Sequence, residues 1–375
     1  MRLHRQNQVR SVLQLEFVSV VNIGSYMKNS VLLNKINCKV VFSLMGLMCG
    51  IAHAQTLPAI EFGAASGYSG FFFGHVQIAS DVEGRLAVGG NLLNGFDIGY
   101  RNPYNSQGPS LVVGGNINYN HGMVYNGPSY DTDTNLSIGP AAAQWVGENK
   151  VALGSAVYGG SLTGVPTWQR NQFTKQAGVI DFTAAKNHLS LLSSTLASSA
   201  QVGRWSVSGA GVILEGNGAD VQVFNLGNTE LKNFTLTGVK AGAHVVINST
   251  LSTVNFGGFV GGDAANSSDS FAQLRDSLVF NLPNATAVDI GTFVNGSVLA
   301  VNARVTGSGH LEGQLIADSL YGKTNPWNPG SLIKLELGYE PFRPTTAIPE
   351  PQSWALFLGG FAVMGLVARR RRRVH

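Results

Sequence analysis

The sequence predicts an all-β body built as a right-handed β-solenoid, with one α-helix lying along its flank. Hydrophobic residues make up 44% of the 375 residues, which is enough for a buried core. The 47 glycines and a charged fraction of only 12% fit many tight turns and few long surface helices. Short apolar runs ending in Gly or Asn recur along the chain, as expected where each coil of a solenoid turns a corner. A β-sandwich is the alternative that would give the same spacing of short strands.

The first 54 residues are predicted to be a secretory signal. We expect synthesis to begin at Met27, followed by a basic region up to residue 39 and an apolar stretch over residues 40–51. This stretch is too short to cross a bilayer core of ~30 Å as a helix. Ala52 and Ala54 supply the small residues of an A-x-A cleavage site. The pattern predicts export by the Sec machinery and a mature body that starts at Gln55.

Both cysteines, Cys38 and Cys49, lie inside this leader, so the mature body has no disulfide and no thiolate metal site. A lipoprotein is the alternative interpretation of Cys49. The residue before a lipidated cysteine is normally small, and Met48 is not.

Charge is divided unevenly between the ends and the body. Six of the Lys and Arg residues precede residue 55 and five form the run 369–373, whereas Glu16 is the only acidic residue in those two parts. The remaining chain has 14 basic and 20 acidic residues, a net charge of −6. An acidic body argues against a nucleic-acid partner.

The solenoid domain is predicted over residues 55–325, and an internal repeat marks its first part. The run Leu86-Ala87-Val88-Gly89-Gly90-Asn91 has a near-copy 25 residues later at 111–116, and a weaker third copy is found at 156–160. Apolar strands that end in Gly-Gly-Asn at this interval are typical of successive coils.

A helix is predicted over about residues 181–199, because apolar side chains recur there at steps of three or four. Asp181 is placed to cap its N-terminus. The apolar stripe, expected to pack on the flank of the β-body, consists of Phe182, Ala185, Leu189, Leu192 and Leu196.

Residues 205–320 contain many short alternating runs separated by Gly, Asn or Ser, which predict further short strands. A strand is also predicted over residues 332–337. Prolines 326, 329, 341 and 344 then mark the region 326–347 as a Pro-rich spacer.

The last segment, residues 348–375, contains three elements in order: a Pro-Glu-Pro tripeptide, 15 apolar or small residues, and an arginine cluster. The residues are Pro349, Glu350, Pro351, Trp354 at the start of the apolar part, and Arg369, Arg370, Arg371, Arg372 and Arg373. This order closely resembles the PEP-CTERM sorting signal of Gram-negative bacteria. The resemblance implies recognition and processing by an exosortase, transient anchoring in the inner membrane, and final delivery to the cell surface or extracellular matrix.

The body resembles the choice-of-anchor A domain in two stretches: residues 72–100, with the core D-V-E-G-R-L-A-V-G-G-N, and residues 277–320. That family occurs on bacterial surface proteins with alternative anchoring tails, and the resemblance implies an adhesive module. Val301 stands where the family has a proline. The last coils are also similar to the end of bacterial ice-binding β-solenoids, which carry a helix beside the solenoid.

No catalytic residue, metal site or cofactor is predicted. The body's histidines lie at least 46 residues apart, so they form no i,i+4 zinc pair. Asp131 and Asp133 begin a calcium-like loop, but Leu136 and Ala142 replace the Gly and Glu that an EF-hand needs.

The sequence therefore predicts a non-enzymatic adhesin or matrix protein with an exopolysaccharide or matrix ligand. A polysaccharide-active enzyme is the first alternative, and it would need Asp289, Glu312 and Asp318 to converge in the fold. Ice binding is the second alternative, and it would need a regular threonine-rich face.

Overall fold

The structure is a computed structural model that describes residues 59–103, 106–127, 143–146, 149–209, 211–262 and 268–345. All of them belong to one compact unit, Gln55–His375. Within these ranges the chain is mostly β-structure with few helices, and none of the helices is long and apolar enough to cross a membrane.

The strands of the first half are β1 (Tyr68–Phe72), β2 (Arg85–Val88), β3 (Leu111–Val113), β4 (Ile117–Asn118), β5 (Ala143–Val146), β6 (Asn149–Ala152), β7 (Ala156–Tyr158), β8 (Leu162–Thr163) and β9 (Phe173–Lys175). Those of the second half are β10 (Arg204–Ser208), β11 (Gly211–Glu215), β12 (Val221–Asn225), β13 (Phe234–Thr237), β14 (His244–Asn248), β15 (Thr253–Phe256), β16 (Leu278–Asn281), β17 (Ala287–Ile290), β18 (Phe293–Asn295), β19 (Ser297–Gly307), β20 (His310–Glu312), β21 (Leu315–Leu320), β22 (Lys323–Asn325), β23 (Asn328–Ile333) and β24 (Glu336–Leu337). The helices are α1 (Phe182–Ala197), α2 (Ser270–Leu274) and two 3₁₀ helices, Gly63–Ala65 and Thr167–Gln172.

One large sheet of parallel strands runs through the body, in the order β12-β14-β16-β19-β21-β1-β2-β3-β7-β9. Every neighbouring pair in this order is parallel. The same sheet has a branch in which β19 pairs with β17 and β17 with β15, and a separate small sheet contains the parallel pairs β18–β20 and β20–β24. Stacked parallel strands of this kind make a β-helix-like body, as the sequence predicts.

The spatial order of the coils differs from their order in the chain. The first strand, β1, lies in the middle of the stack between β2 and β21. The chain builds outward from β1 to β9, returns through α1, and builds back from β12 to β21 until it meets β1. The boundary between β1 and β21 joins the two halves and is called the seam below.

The Gly-Gly-Asn repeat forms one corner of the first half. Leu86 pairs with Leu111, which is 25 residues later, and Leu111 pairs with Ala156. At the corner, Asn91 Oδ1 accepts a hydrogen bond from the backbone N–H of Asn116 at 2.8 Å, and Asn116 Oδ1 accepts one from Ser161 at 2.8 Å. A Cβ on Gly115 would lie 2.4 Å from Asn91 Oδ1, so only glycine fits there. The predicted stacking of the three copies is confirmed.

Alternate residues of the large sheet face two different cores. Phe72, Leu86 and Phe280 point into the interior of the β-helix, whereas their neighbours Phe71, Ala87 and Val279 point outward against α1. The sheet is therefore buried on both faces, which explains why its strands are almost uniformly apolar.

Helix α1 covers that outer face. Asp181 caps it by accepting a hydrogen bond from the N–H of Ala184 at 2.9 Å. Ala185, Leu189, Leu192 and Leu196 are buried, and Phe182 is partly buried in the same core. The predicted helix, its cap and its apolar stripe are confirmed.

A ladder of asparagines joins the second half of the sheet to the C-terminal part of α1. Asn248 Nδ2 donates to Asn225 Oδ1 at 2.7 Å, and Asn281 Nδ2 donates to Asn248 Oδ1 at 2.8 Å. Ser193 Oγ on α1 donates to Asn281 Oδ1 at 2.6 Å, and Asn248 Nδ2 also donates to the Leu196 carbonyl at 2.9 Å. The parallel strands place the three asparagines in register, and the hydrogen bonds of this row to Ser193 and Leu196 hold α1 in position.

The region predicted as a spacer contributes to the body as far as it is described. It contains β23 and β24, and residues 338–345 lie along the body as an extended strap. Phe342 packs on Phe62 with ring centroids 4.7 Å apart, and the N–H of Thr345 donates to the carbonyl of Ile60 at 3.1 Å. The two ends of the described chain are therefore hydrogen-bonded to each other.

We expect Asn281→Ala to lower the free energy of unfolding by about 2–4 kcal/mol, because it leaves buried partners on Asn248 and Ser193 unsatisfied. Urea denaturation of the full chain measures the change. Asn228→Ala, at an exposed position, is the matched control and should change stability by less than about 0.5 kcal/mol. Equal stability of the two variants would contradict a structural role for the ladder.

Candidate functional site

The residues predicted for sorting and cleavage lie outside the described residues, and so does the calcium-like turn at Asp131 and Asp133. The sorting and cleavage residues are Ala52, Ala54, Pro349, Glu350, Pro351, Trp354 and Arg369 to Arg373.

The carboxylates that an enzyme would need are each engaged by a different cation. Asp289 Oδ2 lies 2.9 Å from Lys323 Nζ, and its Oδ1 accepts a hydrogen bond from Thr306 at 2.9 Å. Asp318 pairs with Lys186 at 3.4 Å on the helix side of the sheet. Glu312 pairs with Arg101 at 3.0 Å. The fold gives these three carboxylates no shared ion-pair partner.

A different polar cluster lies at the seam, and we call it the seam cluster. It brings together Asp81, Glu83 and Arg101 from the first coils with His310 and Glu312 on β20 and Glu336 on β24. The backbone positions them because Val82 pairs with Leu337 and Leu337 pairs with Leu311, all three being fully buried. The residues that flank Val82, Leu337 and Leu311 in sequence therefore lie side by side on the opposite face of the strands.

Arg101 is the central cation of the seam cluster. Its Nη1 contacts Glu83 Oε2 and lies 3.0 Å from Glu312 Oε1, so one guanidinium joins carboxylates from the two halves of the body. Both glutamates are buried, with 7% and 6% of their surface exposed. Glu83 also accepts hydrogen bonds from the Tyr100 hydroxyl and from the N–H of Tyr339, each at 3.1 Å. Paired and hydrogen-bonded in this way, the two buried charges are compensated.

His310 lies between the carboxylates of Glu336 and Glu312. Its Nδ1 is 3.1 Å from Glu336 Oε1, and its Nε2 is 3.3 Å from Glu312 Oε1. His310 Nε2 has no aligned hydrogen-bond partner among the described residues, so its contact with Glu312 Oε1 is a charge contact only. The imidazole also stacks on the Phe293 ring, with centroids 4.8 Å apart and planes 2° from parallel.

Burial and neighbouring charges shift the pKa values of three groups in the seam cluster. Burial, together with repulsion by Glu336, Glu83 and Asp97, raises the pKa of Asp81 to about 6. Burial alone would lower the pKa of His310, but Glu312, Glu336 and Glu83 outweigh it and the pKa is raised. Burial would raise the pKa of Glu312, but contact with His310 and Arg101 lowers it.

Glu83, His310 and Glu312 offer ligand atoms within 4.8 Å of one another, so their donor types suit a divalent cation. The guanidinium of Arg101 already contacts both of these carboxylates. A metal ion in the same space would be repelled by it. We therefore assign the Arg101 guanidinium, in place of a metal ion, as the cation that Glu83 and Glu312 bind.

One row of side chains crosses the seam on the outside of the body. Phe293 pairs with His310, and His310 pairs with Glu336. The bridges Val260–Val294, Leu337–Val82 and Val82–Ile98 extend the same alignment in both directions. The outer row, in spatial order, consists of Phe259, Phe293, His310, Glu336, Asp81 and Asp97. It is aromatic at one end and acidic at the other.

The sequence did not predict this site. Glu312 was grouped only with Asp289 and Asp318, His310 was one of several widely spaced histidines, and Asp81 and Glu83 were only part of a family motif. The available signal is a polar-apolar-polar tripeptide, Asp81-Val82-Glu83 and His310-Leu311-Glu312, whose first two positions recur as Glu336-Leu337. The apolar centre of each segment is buried and its flanking residues lie on the opposite face of the strand, but only the tertiary pairing shows that the three segments lie next to one another.

Comparison with known protein families gives two matches. Residues 61–325 match the model of a family described as "Putative Ice-binding-like adhesive domain". Residues 347–373 match the PEP-CTERM protein-sorting motif. No curated protein and no solved structure matches the chain.

Asp81→Asn tests the electrostatics of the seam. The folded pKa of Asp81, about 6, lies above its ordinary value of 3.8, so folding favours the protonated acid. The stabilisation of the folded state by the protonated Asp81 side chain is complete below about pH 3.8 and is lost as the pH rises through 6. We expect Asp81→Asn to stabilise the full chain by about 1–2 kcal/mol at pH 7.5 and to have little effect at pH 4.

Urea denaturation at the two pH values measures this difference. Asp220→Asn is the control, because Asp220 is an exposed surface residue paired with Lys240. A stabilisation by Asp81→Asn that is as large at pH 4 as at pH 7.5 would contradict the assignment.

Proposed function

Because the chain belongs to the family of ice-binding-like adhesive domains, we propose that its body binds matrix or surface material without catalysing a reaction. The observation that carries this proposal is the family match over residues 61–325 together with a sorting motif at 347–373. The chain is an exported surface protein of the adhesin type, and its C-terminal motif directs it to exosortase.

We further propose the steps of delivery that the sequence predicts. Export uses the Sec machinery and a leader cleaved after Ala54. Trp354 and the residues that follow hold the chain in the inner membrane for a time, and the arginine cluster keeps their end on the cytoplasmic side. Pro349, Glu350 and Pro351 form the element that exosortase recognises. The body is a right-handed solenoid in this proposal.

Two features favour an adhesive function over a polysaccharide-active enzyme and over ice binding. The carboxylates Asp289, Glu312 and Asp318 are paired with different cations, which does not suit a shared catalytic task. Ice binding needs a flat and regular threonine face. The outward positions Asn255, Asp289 and Thr306, which are aligned on β15, β17 and β19, are mixed and partly charged.

A binding experiment tests the function. The full chain in detergent is mixed with isolated extracellular matrix polysaccharide, and we measure co-sedimentation and the release of reducing ends. We expect the protein to sediment with the matrix and no reducing ends to appear. Release of sugar ends in proportion to protein would indicate an enzyme, and absence of co-sedimentation would contradict adhesion.

A second experiment tests sorting. We expect replacement of Pro349, Glu350 and Pro351 by alanine to leave an unprocessed chain in the inner-membrane fraction and to reduce surface-exposed protein at least about tenfold. The physical reason is that the recognition element is lost while the apolar anchor remains. Cell fractionation with immunoblotting measures both. Replacement of the neighbouring Gln352 and Ser353 by alanine is the control, and equal surface delivery of both variants would contradict the proposal.

A further inference from the structure

The outer row contains two carboxylates, Asp81 and Asp97, that have no ion-pair partner among the described residues. Arg101 and His310 contact Glu83, Glu312 and Glu336. In the part of the chain that the structure describes, Asp81 and Asp97 are in no ion pair, and the buried Asp81 Oδ1 and Glu312 Oε2 atoms have no hydrogen-bond partner. Among these five carboxylates, Glu83, Glu312 and Glu336 are therefore paired with one guanidinium and one imidazole, and Asp81 and Asp97 are left without an ion pair in the described residues.

The carboxylates of the row are spread out instead of converging. Among the described residues, the set of His, Asp and Glu side chains with ligand atoms within 4.8 Å of one another is Glu83, His310 and Glu312, where Arg101 already lies. Glu336, Asp81 and Asp97 precede Leu337, Val82 and Ile98, which are paired by successive β-bridges about 4.8 Å apart. This spacing suits an extended ligand with several positive groups better than a single ion.

The aromatic end of the row is rigid. Phe259 is 51% exposed. Its N–H donates to Asn233 Oδ1 at 3.0 Å, and its carbonyl accepts from the N–H of Phe234 at 2.7 Å. The preceding Gly258 has φ +64° and accepts from Thr292 Oγ1 at 2.7 Å. A fixed backbone presents the exposed ring at little cost in conformational entropy on binding.

We propose that the outer row binds a polysaccharide strand whose sugars carry protonated amino groups, laid across the successive coils. The apolar C–H face of one sugar packs on Phe259, and the ammonium groups of later sugars lie against Glu336, Asp81 and Asp97. Charge complementarity selects this ligand, since an acidic polysaccharide would be repelled by the same row and by the net charge of the body. The inference rests on the proposed binding function and names its ligand class.

The experiment measures the affinity of the full chain in detergent for a glucosamine hexamer and for its fully N-acetylated counterpart. Acetylation removes the positive charges and keeps the sugar rings. We expect the hexamer to bind at least tenfold more tightly than the acetylated form, and raising NaCl from 0.05 to 0.5 M to weaken its binding several-fold. Equal affinity for the two oligomers would overturn the inference.

Variants localise the site. The double variant Asp81→Asn with Asp97→Asn should weaken hexamer binding at least tenfold, whereas Asp220→Asn should not. Phe259→Ala should weaken it about fivefold, whereas Val207→Ala, which changes another exposed apolar residue, should not. A row variant that binds like its control would overturn the placement. Removal of the Asp81 charge is expected to stabilise the fold, so a loss of binding would not come from unfolding.

The result separates this inference from the proposed function. A chain that sediments with matrix polysaccharide but ignores the glucosamine hexamer overturns the ligand class and leaves adhesion in place. A chain that binds neither material overturns both.

Discussion

The body depends on the parallel contact between β1 and β21. Gly70, Phe71 and Phe72 pair with Leu315, Ile316 and Ala317, so the first coil of the chain closes on the last one. Every other coil has a neighbour that is close in sequence or lies within the same half. The seam joins residues about 245 positions apart, and the entropy of closing that loop must be offset by contacts that form only when both halves are present. The two halves are therefore expected to fold as one cooperative unit.

The seam cluster follows from this constraint. Arg101 bridges Glu83 and Glu312, which are 229 positions apart, and Gln314 Nε2 donates to the carbonyls of Ala65 and Tyr68 at 3.1 and 2.8 Å. Buried polar groups of this kind are costly when unpaired, so they penalise any register in which β1 is shifted against β21. The asparagine ladder acts in the same way between α1 and the second half. In both places polar groups fix alignment and the apolar cores supply most of the stability.

The sequence was most informative where structure is local. The 25-residue interval between the first two Gly-Gly-Asn motifs is the length of the coil that joins β2 to β3, and the Asp181 cap and the Leu189, Leu192 and Leu196 stripe require only one helix period. The order of the coils was not predictable, because every strand is a short apolar run and many pairings satisfy the same pattern. The outer row depends on that order, so the sequence alone could not show that its charged and aromatic residues are neighbours. The strap of residues 338–345 was predicted as a spacer for its prolines, and the apolar contact of Phe342 with Phe62 could be found only from tertiary structure.

The docked strap also limits how far the body can stand from the membrane. Thr345 is hydrogen-bonded to Ile60, and Trp354, where the apolar segment begins, lies only nine positions further on. A fully extended chain of that length reaches about 30 Å, so an anchored body would stay close to the membrane surface. A polysaccharide in the outer matrix would lie beyond that reach. Processing near Pro349 would remove the limit, and the sorting tail would then decide where the acidic row meets a ligand as well as where the chain is delivered.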